Sequence, residues 1–296
     1  MDQIMIQDSD AIRRINVDKY KVLIGNNHEM KYSFLKKLEA SFQKVSTSDY
    51  REENQIELKM KINGDRPDLK RWQFYFIHSW LNLEDEMKLG SKSILLKYLE
   101  TQIQEVEFNE YYQLLNQSII SFNEEFLSDV KIEVGDSRIA FQLNEITQKT
   151  LIKNIASKLL IDDLEADELD LPYYNKFAHY IKMISLVANK NRGMNFLVTI
   201  DCPSFTHKIC TLIEESPQNT KYLINCNHLG RSILTENIII CGKKMIDLAD
   251  EESVINEIMI EHYDSIDYQS FISQLQHSID ENYMDISKIS IINRII

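Results

Sequence analysis

Apolar and polar positions near the start of the chain follow two different periodicities. Residues 19–25, KYKVLIG, form an apolar run that predicts a short buried strand ending at Gly25. Over residues 30–44 apolar side chains recur at every fourth position, which places them on one face of a helix. Residues 55–62 and 71–78 each alternate between apolar and polar side chains, as half-buried strands do. Because a turn signal separates these two segments, we expect residues 56–62 and 71–78 to form a hairpin.

Helix-forming residues dominate from about residue 80 to residue 190. This stretch contains only two glycines and one proline, and amphipathic patterns run through most of it. Its composition therefore predicts a large helical insertion. One interruption, over residues 130–143, shows alternating apolar side chains on both sides of a Gly-Asp pair, and it predicts a strand pair or a bent connection.

Strand patterns return at residue 195. Continuous apolar runs occupy residues 195–201, 221–227 and 237–241, which is the pattern of buried parallel strands in an α/β unit. The fold class expected is α/β, with a large helical insertion and a helical C-terminal extension. The expected domains are an α/β head from residues 1–80 and 191–245, a helical domain over residues 81–190, and an acidic helical extension over residues 246–296.

The charge of the chain is concentrated in the C-terminal extension. The chain has 33 Lys and Arg against 46 Asp and Glu, a formal net charge of −13. Residues 246–296 hold eleven acids and two bases, so the rest of the chain carries only −4. Strong negative charge discourages nucleic-acid binding, but a nearly neutral body can carry a basic patch. The sequence allows three interpretations of the extension: a solubilising helix pair, an element that docks a partner, or an element that contacts another copy in a ring.

The cysteines and the apolar runs indicate the compartment. The four cysteines are Cys202, Cys210, Cys226 and Cys241. Their spacings do not match a zinc site, so we expect buried free thiols, which suits a reducing cytoplasm. No apolar run approaches about 18 residues, so no membrane span is expected. The first residues are acidic and polar, unlike a signal peptide.

The segment from Gly25 to Tyr32, GNNHEMKY, follows a predicted strand and begins a predicted helix. A phosphate-binding loop at this place would have the pattern G-x-x-x-x-G-K-[ST]. Gly25 and Lys31 fit that pattern, but Met30 replaces the second glycine and Tyr32 replaces the magnesium-binding hydroxyl. The segment is therefore either a degenerate phosphate-binding loop or a chance strand–turn–helix.

Two later residues fit the same layout. Asp201 ends a predicted strand, at the place where an ABC-type ATPase has the aspartate that holds magnesium. The catalytic glutamate would come next, but Cys202 stands there. A thiol cannot orient or deprotonate the attacking water as a carboxylate does. His228 follows the next strand, where such ATPases sense the γ-phosphate; a capping or solvent-facing histidine is the alternative. Residues 170–195 contain no LSGGQ-like signature. The set indicates a nucleotide-binding scaffold that has lost hydrolysis.

This order of features resembles the accessory spacer-acquisition (adaptation) protein of type II-A CRISPR systems, in its longer variety with a C-terminal extension. The resemblance covers roughly residues 15–245, and it is carried by the loop at Gly25–Tyr32, the strand–helix segment at 137–155, the helix before the strand at 195–201, and the strand at 221–227. It implies an α/β head of ABC/SMC type with a degenerate P-loop, a helical domain, and no catalytic activity, which makes the chain a pseudo-ATPase.

The resemblance also implies partners. Members of this family assemble as ring-shaped homotetramers, bind double-stranded DNA ends in a lysine-lined hole, and hold calcium ions that stabilise the ring. They work with the CRISPR integrase pair and the RNA-guided effector nuclease. The function expected is therefore non-catalytic, sequence-independent binding of DNA ends in the cytoplasm.

Basic clusters are the candidates for DNA contacts, because sequence-independent binding needs only cations that face phosphates. The candidates around the predicted hairpin and in a later predicted helix are Lys59, Lys61, Arg66, Lys70, Arg71, Lys149, Lys153 and Lys158. For each of them a solvated surface is the alternative interpretation.

Calcium takes six to eight oxygen ligands, mostly from carboxylates and carbonyls. Asp129, Glu133 and Asp136 are the candidate ligands. Residues 162–170, DDLEADELD, form a second acidic stretch, for which a solvated loop is the alternative.

Two other functions remain open from the residues alone. Lys31, Asp201 and His228 would also suit an ABC/SMC-type nucleotide-hydrolysing DNA-repair protein. The helical domain and the acidic extension would suit an adaptor that binds a protein partner and no DNA.

Overall fold

A computed structural model describes residues 2–7, 12–42, 59–91, 93–134, 136–256 and 267–283. The chain divides into two compact units. The first unit comprises residues 1–81 and 173–296, and the second comprises residues 82–172. No helix in the described part of the chain combines the length and the apolar character needed to cross a membrane.

The strands of the described residues are numbered in chain order: Asp2–Gln7 (β1), Ile12–Val17 (β2), Tyr20–Ile24 (β3), Lys59–Ile62 (β4), Trp72–His78 (β5), Lys131–Val134 (β6), Ser137–Ala140 (β7), Leu159–Ile161 (β8), Leu164–Ala166 (β9), Asn195–Asp201 (β10), Ser204–Phe205 (β11), Thr220–Asn225 (β12), His228–Leu229 (β13), Ile238–Cys241 (β14) and Met245–Asp247 (β15). The α-helices are His28–Phe42 (α1), Leu83–Met87 (α2), Ile94–Ile103 (α3), Val106–Glu125 (α4), Gln148–Lys153 (α5), Tyr173–Lys190 (α6), His207–Glu214 (α7), Glu251–Val254 (α8) and Tyr268–Asn282 (α9).

A six-stranded, mostly parallel sheet forms the centre of the first unit. Its order is β15-β14-β3-β12-β10-β5, and only β15 runs antiparallel to its neighbour. The predicted strands at residues 19–25, 195–201, 221–227 and 237–241 are confirmed as β3, β10, β12 and β14. The mixed α/β fold class is confirmed with them.

Both faces of this sheet are covered, which explains why its strands are continuous apolar runs. On one face Leu23 and Leu223 belong to the same core cluster as Phe34 of α1. On the other face Tyr20 and Tyr222 are neighbours across two strands, and Tyr20 lies beside Cys210 of α7.

A smaller antiparallel sheet of order β2-β1-β4 shares the core of α1. Ile4 pairs with Ile15 on one side and with Ile62 on the other, and all three side chains are buried. Residues 55–58 of the predicted strand lie outside the described residues.

The predicted hairpin between residues 56–62 and 71–78 is wrong. β4 pairs with β1, whereas β5 joins the other sheet and runs parallel to β10. A two-residue periodicity identifies a strand and its buried face, but it carries no information about the partner strand.

The second unit contains four α-helices, two short 3-10 helices and two hairpins, β6–β7 and β8–β9, within its described residues. The strand pair predicted over residues 130–143 is confirmed as the hairpin β6–β7. Many large apolar side chains of this unit are exposed. They include Val106, Tyr111, Leu114, Phe122, Phe126, Ile132, Ile139, Phe141 and Leu143.

The boundary between the two units differs from the sequence prediction at one end. The sequence predicts one helical domain over residues 81–190, whereas α6, Tyr173–Lys190, belongs to the first unit. Phe177, Tyr180 and Ile184 lie on its buried face. An amphipathic pattern shows that a helix buries one face, but not which unit buries it.

The described part of the C-terminal extension also belongs to the first unit. α9 buries Phe271 and Leu275, and its Gln276 accepts a hydrogen bond from the Thr235 amide at 2.8 Å. The Gln276 side chain also donates to the carbonyl oxygen of Ile233 at 3.2 Å. The apolar stripe of α9 is therefore part of the core of the first unit.

Candidate functional site

Three of the candidate residues, Gly25, Lys31 and Asp201, lie near one edge of the large sheet. Gly25 follows β3 and Asp201 ends β10, and the carboxyl ends of parallel strands meet at the same edge, where α/β proteins usually bind ligands. Lys31 lies on α1 and has Asp201 among its electrostatic neighbours. His228 is exposed and lies on the short strand β13, which pairs with β11.

The loop after β3 is tied to the end of β14. Gly25 has a φ of 112°, and a Cβ at this position would overlap the carbonyl group of Cys241. The Asn27 amide donates to the Cys241 carbonyl oxygen at 3.2 Å, and the Asn27 side chain donates to the Gly242 carbonyl oxygen at 2.8 Å. Glycine at residue 25 is therefore required by the close approach of two backbones.

The amides that follow in this loop already have acceptors within the protein. The His28 amide donates to the Asn26 carbonyl oxygen at 3.0 Å, and the Met30 amide donates to Oδ1 of Asn27 at 2.9 Å. The Lys31 amide donates to the Asn27 carbonyl oxygen at 3.1 Å. A phosphate-binding loop instead points its amides at the ligand. The segment thus has the position of such a loop, but these amides are not free for a phosphate.

Lys31 is directed into the protein. Lys31 is only 1% exposed, and its electrostatic neighbours are Cys241, Cys226 and Asp201. Burial lowers the pKa of Lys31, and these three neighbours act in the opposite direction. An ammonium in this position does not present its charge to a ligand in solvent.

Asn225 is a member of this group that was not predicted from the sequence. Its amide nitrogen donates to Oδ1 of Asp201 at 2.8 Å, and its own Oδ1 is buried without a hydrogen-bond partner. Asn225 and Asp201 are register partners at the ends of adjacent strands. The sequence pattern that could have identified Asn225 is the polar residue at the end of each predicted strand.

The thiol of Cys202, which stands where an ATPase would have its catalytic glutamate, is buried and donates to the Ser204 carbonyl oxygen at 3.4 Å. Burial raises the pKa of Cys202 strongly, so this thiol stays protonated near neutral pH and cannot serve as a base. Burial likewise raises the pKa of Cys226 and of Cys241 to about 12. The prediction of four buried free thiols is confirmed.

The candidate DNA contacts are divided between the two units. Lys59 and Lys61 are exposed on β4, and three further candidates are exposed in the segment between β4 and β5: Arg66, Lys70 and Arg71. The second unit holds Lys149 and Lys153 on α5, and Lys158, whose ammonium pairs with Glu165 at 2.7 Å.

The candidate calcium ligands lie around the hairpin β6–β7. Asp129 ends a short 3-10 helix, Glu133 lies on β6, and Asp136 lies in the turn. The Glu133 carboxylate pairs with Lys131 at 3.0 Å. Across the described ranges of the chain, no three His, Cys, Asp or Glu side chains are grouped so as to hold a metal ion. The three candidates therefore do not fit a calcium site within one chain.

The fold has a counterpart among solved structures. No protein-family model matches the sequence. No curated protein matches it either. The structure is similar to Stu0660 of Streptococcus thermophilus. That likeness has a TM-score of 0.71 at 14% sequence identity, and it covers 99% of this chain and 92% of the other. At this identity the likeness concerns the fold alone.

Proposed function

We propose that this protein is a non-catalytic, sequence-independent binder of double-stranded DNA ends, which assembles as a homotetrameric ring and serves CRISPR spacer acquisition. Its working partners would be the CRISPR integrase pair and the RNA-guided effector nuclease. Two grounds support the proposal: the resemblance of the sequence to the CRISPR adaptation protein, and the exposed basic segment of the first unit. Calcium is not part of it, since the candidate ligands do not form a site.

The observation that carries the proposal is the exposed basic segment of the first unit. Five cations are exposed between residues 59 and 71, in a chain whose net charge is −13. Contacts between such cations and phosphates release counterions and need no base recognition. This is the chemistry that a DNA-end binder without sequence preference requires.

Two further features support the non-catalytic, self-assembling part of the proposal. The amides of Asn27, His28, Met30 and Lys31 after β3 have protein acceptors, and Lys31 is buried. The second unit exposes a series of large apolar side chains of the kind that protein–protein contacts cover. A second copy of the chain would cover them in a ring.

A gel-shift titration at low salt tests the proposal, together with the mass from light scattering. Three DNAs of equal length are compared: linear duplex, covalently closed circle, and linear duplex with both ends blocked by biotin–streptavidin. We expect a tetramer-sized species that shifts only the DNA with open ends. Equal shifts of all three DNAs would contradict end binding, and no shift of any DNA would contradict DNA binding altogether. A calcium arm and a chelator arm should give the same affinity.

A further inference from the structure

The small sheet of the first unit has one face that takes no part in the core. We call it the outer sheet face. Met5 of β1 pairs with Arg14 of β2 on one side and with Lys61 of β4 on the other. Gln7 pairs with Lys59 of β4 and with Ile12 of β2 in the next outward row. Cross-strand partners share a face, so these rows lie opposite the buried isoleucines.

Basic and neutral side chains make up this face. Arg14, Lys59 and Lys61 are exposed, and the other outward positions of the three described strands are neutral: Gln3, Met5, Gln7, Ile12 and Asn16. Asp2, the acid of β1, pairs across the sheet with buried Val17 and so lies on the opposite face. The outer sheet face thus carries no acid within these strands.

The spacing of the three cations suits a phosphate backbone. Lys59 and Lys61 are two residues apart on one strand, about 7 Å, and Arg14 lies two strands away, about 10 Å. Long side chains can reach several phosphates from such an array, and an arginine can bind one phosphate through two N–H groups. The neighbouring glutamine amides can add neutral hydrogen bonds to phosphate oxygens.

We propose that the outer sheet face is the surface of this chain that binds the phosphate backbone of duplex DNA, with Arg14 acting together with Lys59 and Lys61. The inference rests on the proposed function and assigns its contact surface. Arg14 is 45 positions before Lys59 in the sequence, so only the register of β1 with its two neighbours brings them together.

Three exposed cations elsewhere in the first unit supply a matched control. Lys182 lies on α6, Arg192 follows that helix, and Lys208 lies on α7. None of the three is among the candidate DNA contacts. A triple glutamine variant of this set removes one arginine and two lysines, as the variant on the outer sheet face does.

The test measures the affinity for linear duplex DNA between about 50 and 200 mM salt. The slope of log K against log salt becomes steeper by about 0.9 for each phosphate that a cation of the protein neutralises. For Arg14→Gln/Lys59→Gln/Lys61→Gln we expect the slope to become shallower by about 2–3, and affinity at low salt to drop at least about tenfold. The control Lys182→Gln/Arg192→Gln/Lys208→Gln should change the slope by less than about 1.

Equal slope changes in the two triple variants, or an unchanged slope in the first, would overturn the inference while the proposed function stands. Failure of the unaltered protein to bind linear duplex at low salt would instead overturn the proposed function. Single variants guard against misfolding of the triple variant. Arg14→Gln should make the slope shallower by about 1, and Arg14→Lys should return the slope to that of the unaltered protein. A slope that Arg14→Gln leaves unchanged also counts against the assignment.

Discussion

Lys21 of β3 and Asp247 of β15 form an ion pair in which both side chains are only 1% exposed. Oδ2 of Asp247 also accepts the Asn16 amide at 2.7 Å, and Oδ1 accepts the Ala249 amide at 3.0 Å. Lys21 donates in addition to the carbonyl oxygen of Glu236. One buried carboxylate therefore connects the large sheet with β2 of the small sheet.

Removing one member of this pair should strongly destabilise the first unit. In Asp247→Asn the Lys21 ammonium would remain buried without its paired carboxylate, which costs about 3–5 kcal/mol of the free energy of unfolding. Urea denaturation monitored by circular dichroism measures it. The control is Lys36→Ala, which removes the exposed pair of Lys36 with Glu39 and should cost less than about 1 kcal/mol. Equal losses of stability in the two variants would refute the expectation.

Two glycines with similar backbone angles should respond differently to alanine. Gly25 has a φ of 112° and Gly64 a φ of 88°, so both substitutions introduce backbone strain of about 1 kcal/mol. Gly64 has open space around it, whereas Gly25 lies against the Cys241 backbone. Thermal and urea unfolding should therefore show Gly25→Ala to be less stable than Gly64→Ala by at least about 2 kcal/mol. Similar stabilities would show that the loop after β3 is not held against β14.

Replacing Lys31 with an apolar side chain should stabilise the protein, and the effect should depend on pH. Because burial lowers the pKa of Lys31, the unfolded chain binds more protons than the folded chain just below the usual lysine value. The lysine therefore destabilises the fold at pH 7, and this effect fades as pH rises toward 10.5. We expect Lys31→Met to raise the free energy of unfolding by about 1 kcal/mol or more at pH 7 and by less at pH 10.

Lys182, which is exposed on α6, provides the control for that measurement. Lys182→Met should change stability by less than about 0.5 kcal/mol at both pH values. A decrease in stability in Lys31→Met at pH 7 would show that the Lys31 ammonium makes a favourable interaction in the folded state.

The occupied amides of the loop after β3 predict that nucleotide does not bind there. Isothermal titration with magnesium ATP should give no saturable heat for the unaltered protein. A saturable heat that disappears in Lys31→Met but persists in Lys182→Met would identify Lys31 as a nucleotide ligand. That outcome would favour the nucleotide-hydrolysing alternative and contradict the non-catalytic proposal.

The sequence predicted the buried parallel strands because their residues face apolar surroundings on both sides. It could not supply the partner of β4, because pairing with β1 connects residues about 55 positions apart and leaves no local pattern. For the same reason Arg14 was not among the predicted DNA contacts. Asp201 was found from its place at a strand end, but its partner Asn225 depends on the register of two strands.

The strand order has a consequence for synthesis of the protein on the ribosome. β3 lies between β12 and β14, so its two neighbours are made about 200 residues after it. At about 5–20 residues per second, roughly ten seconds or more pass before β3 can be enclosed. During that interval an apolar strand is available to chaperones or to aggregation. The second unit has all its residues in one continuous stretch, so it can fold while the first unit is still incomplete.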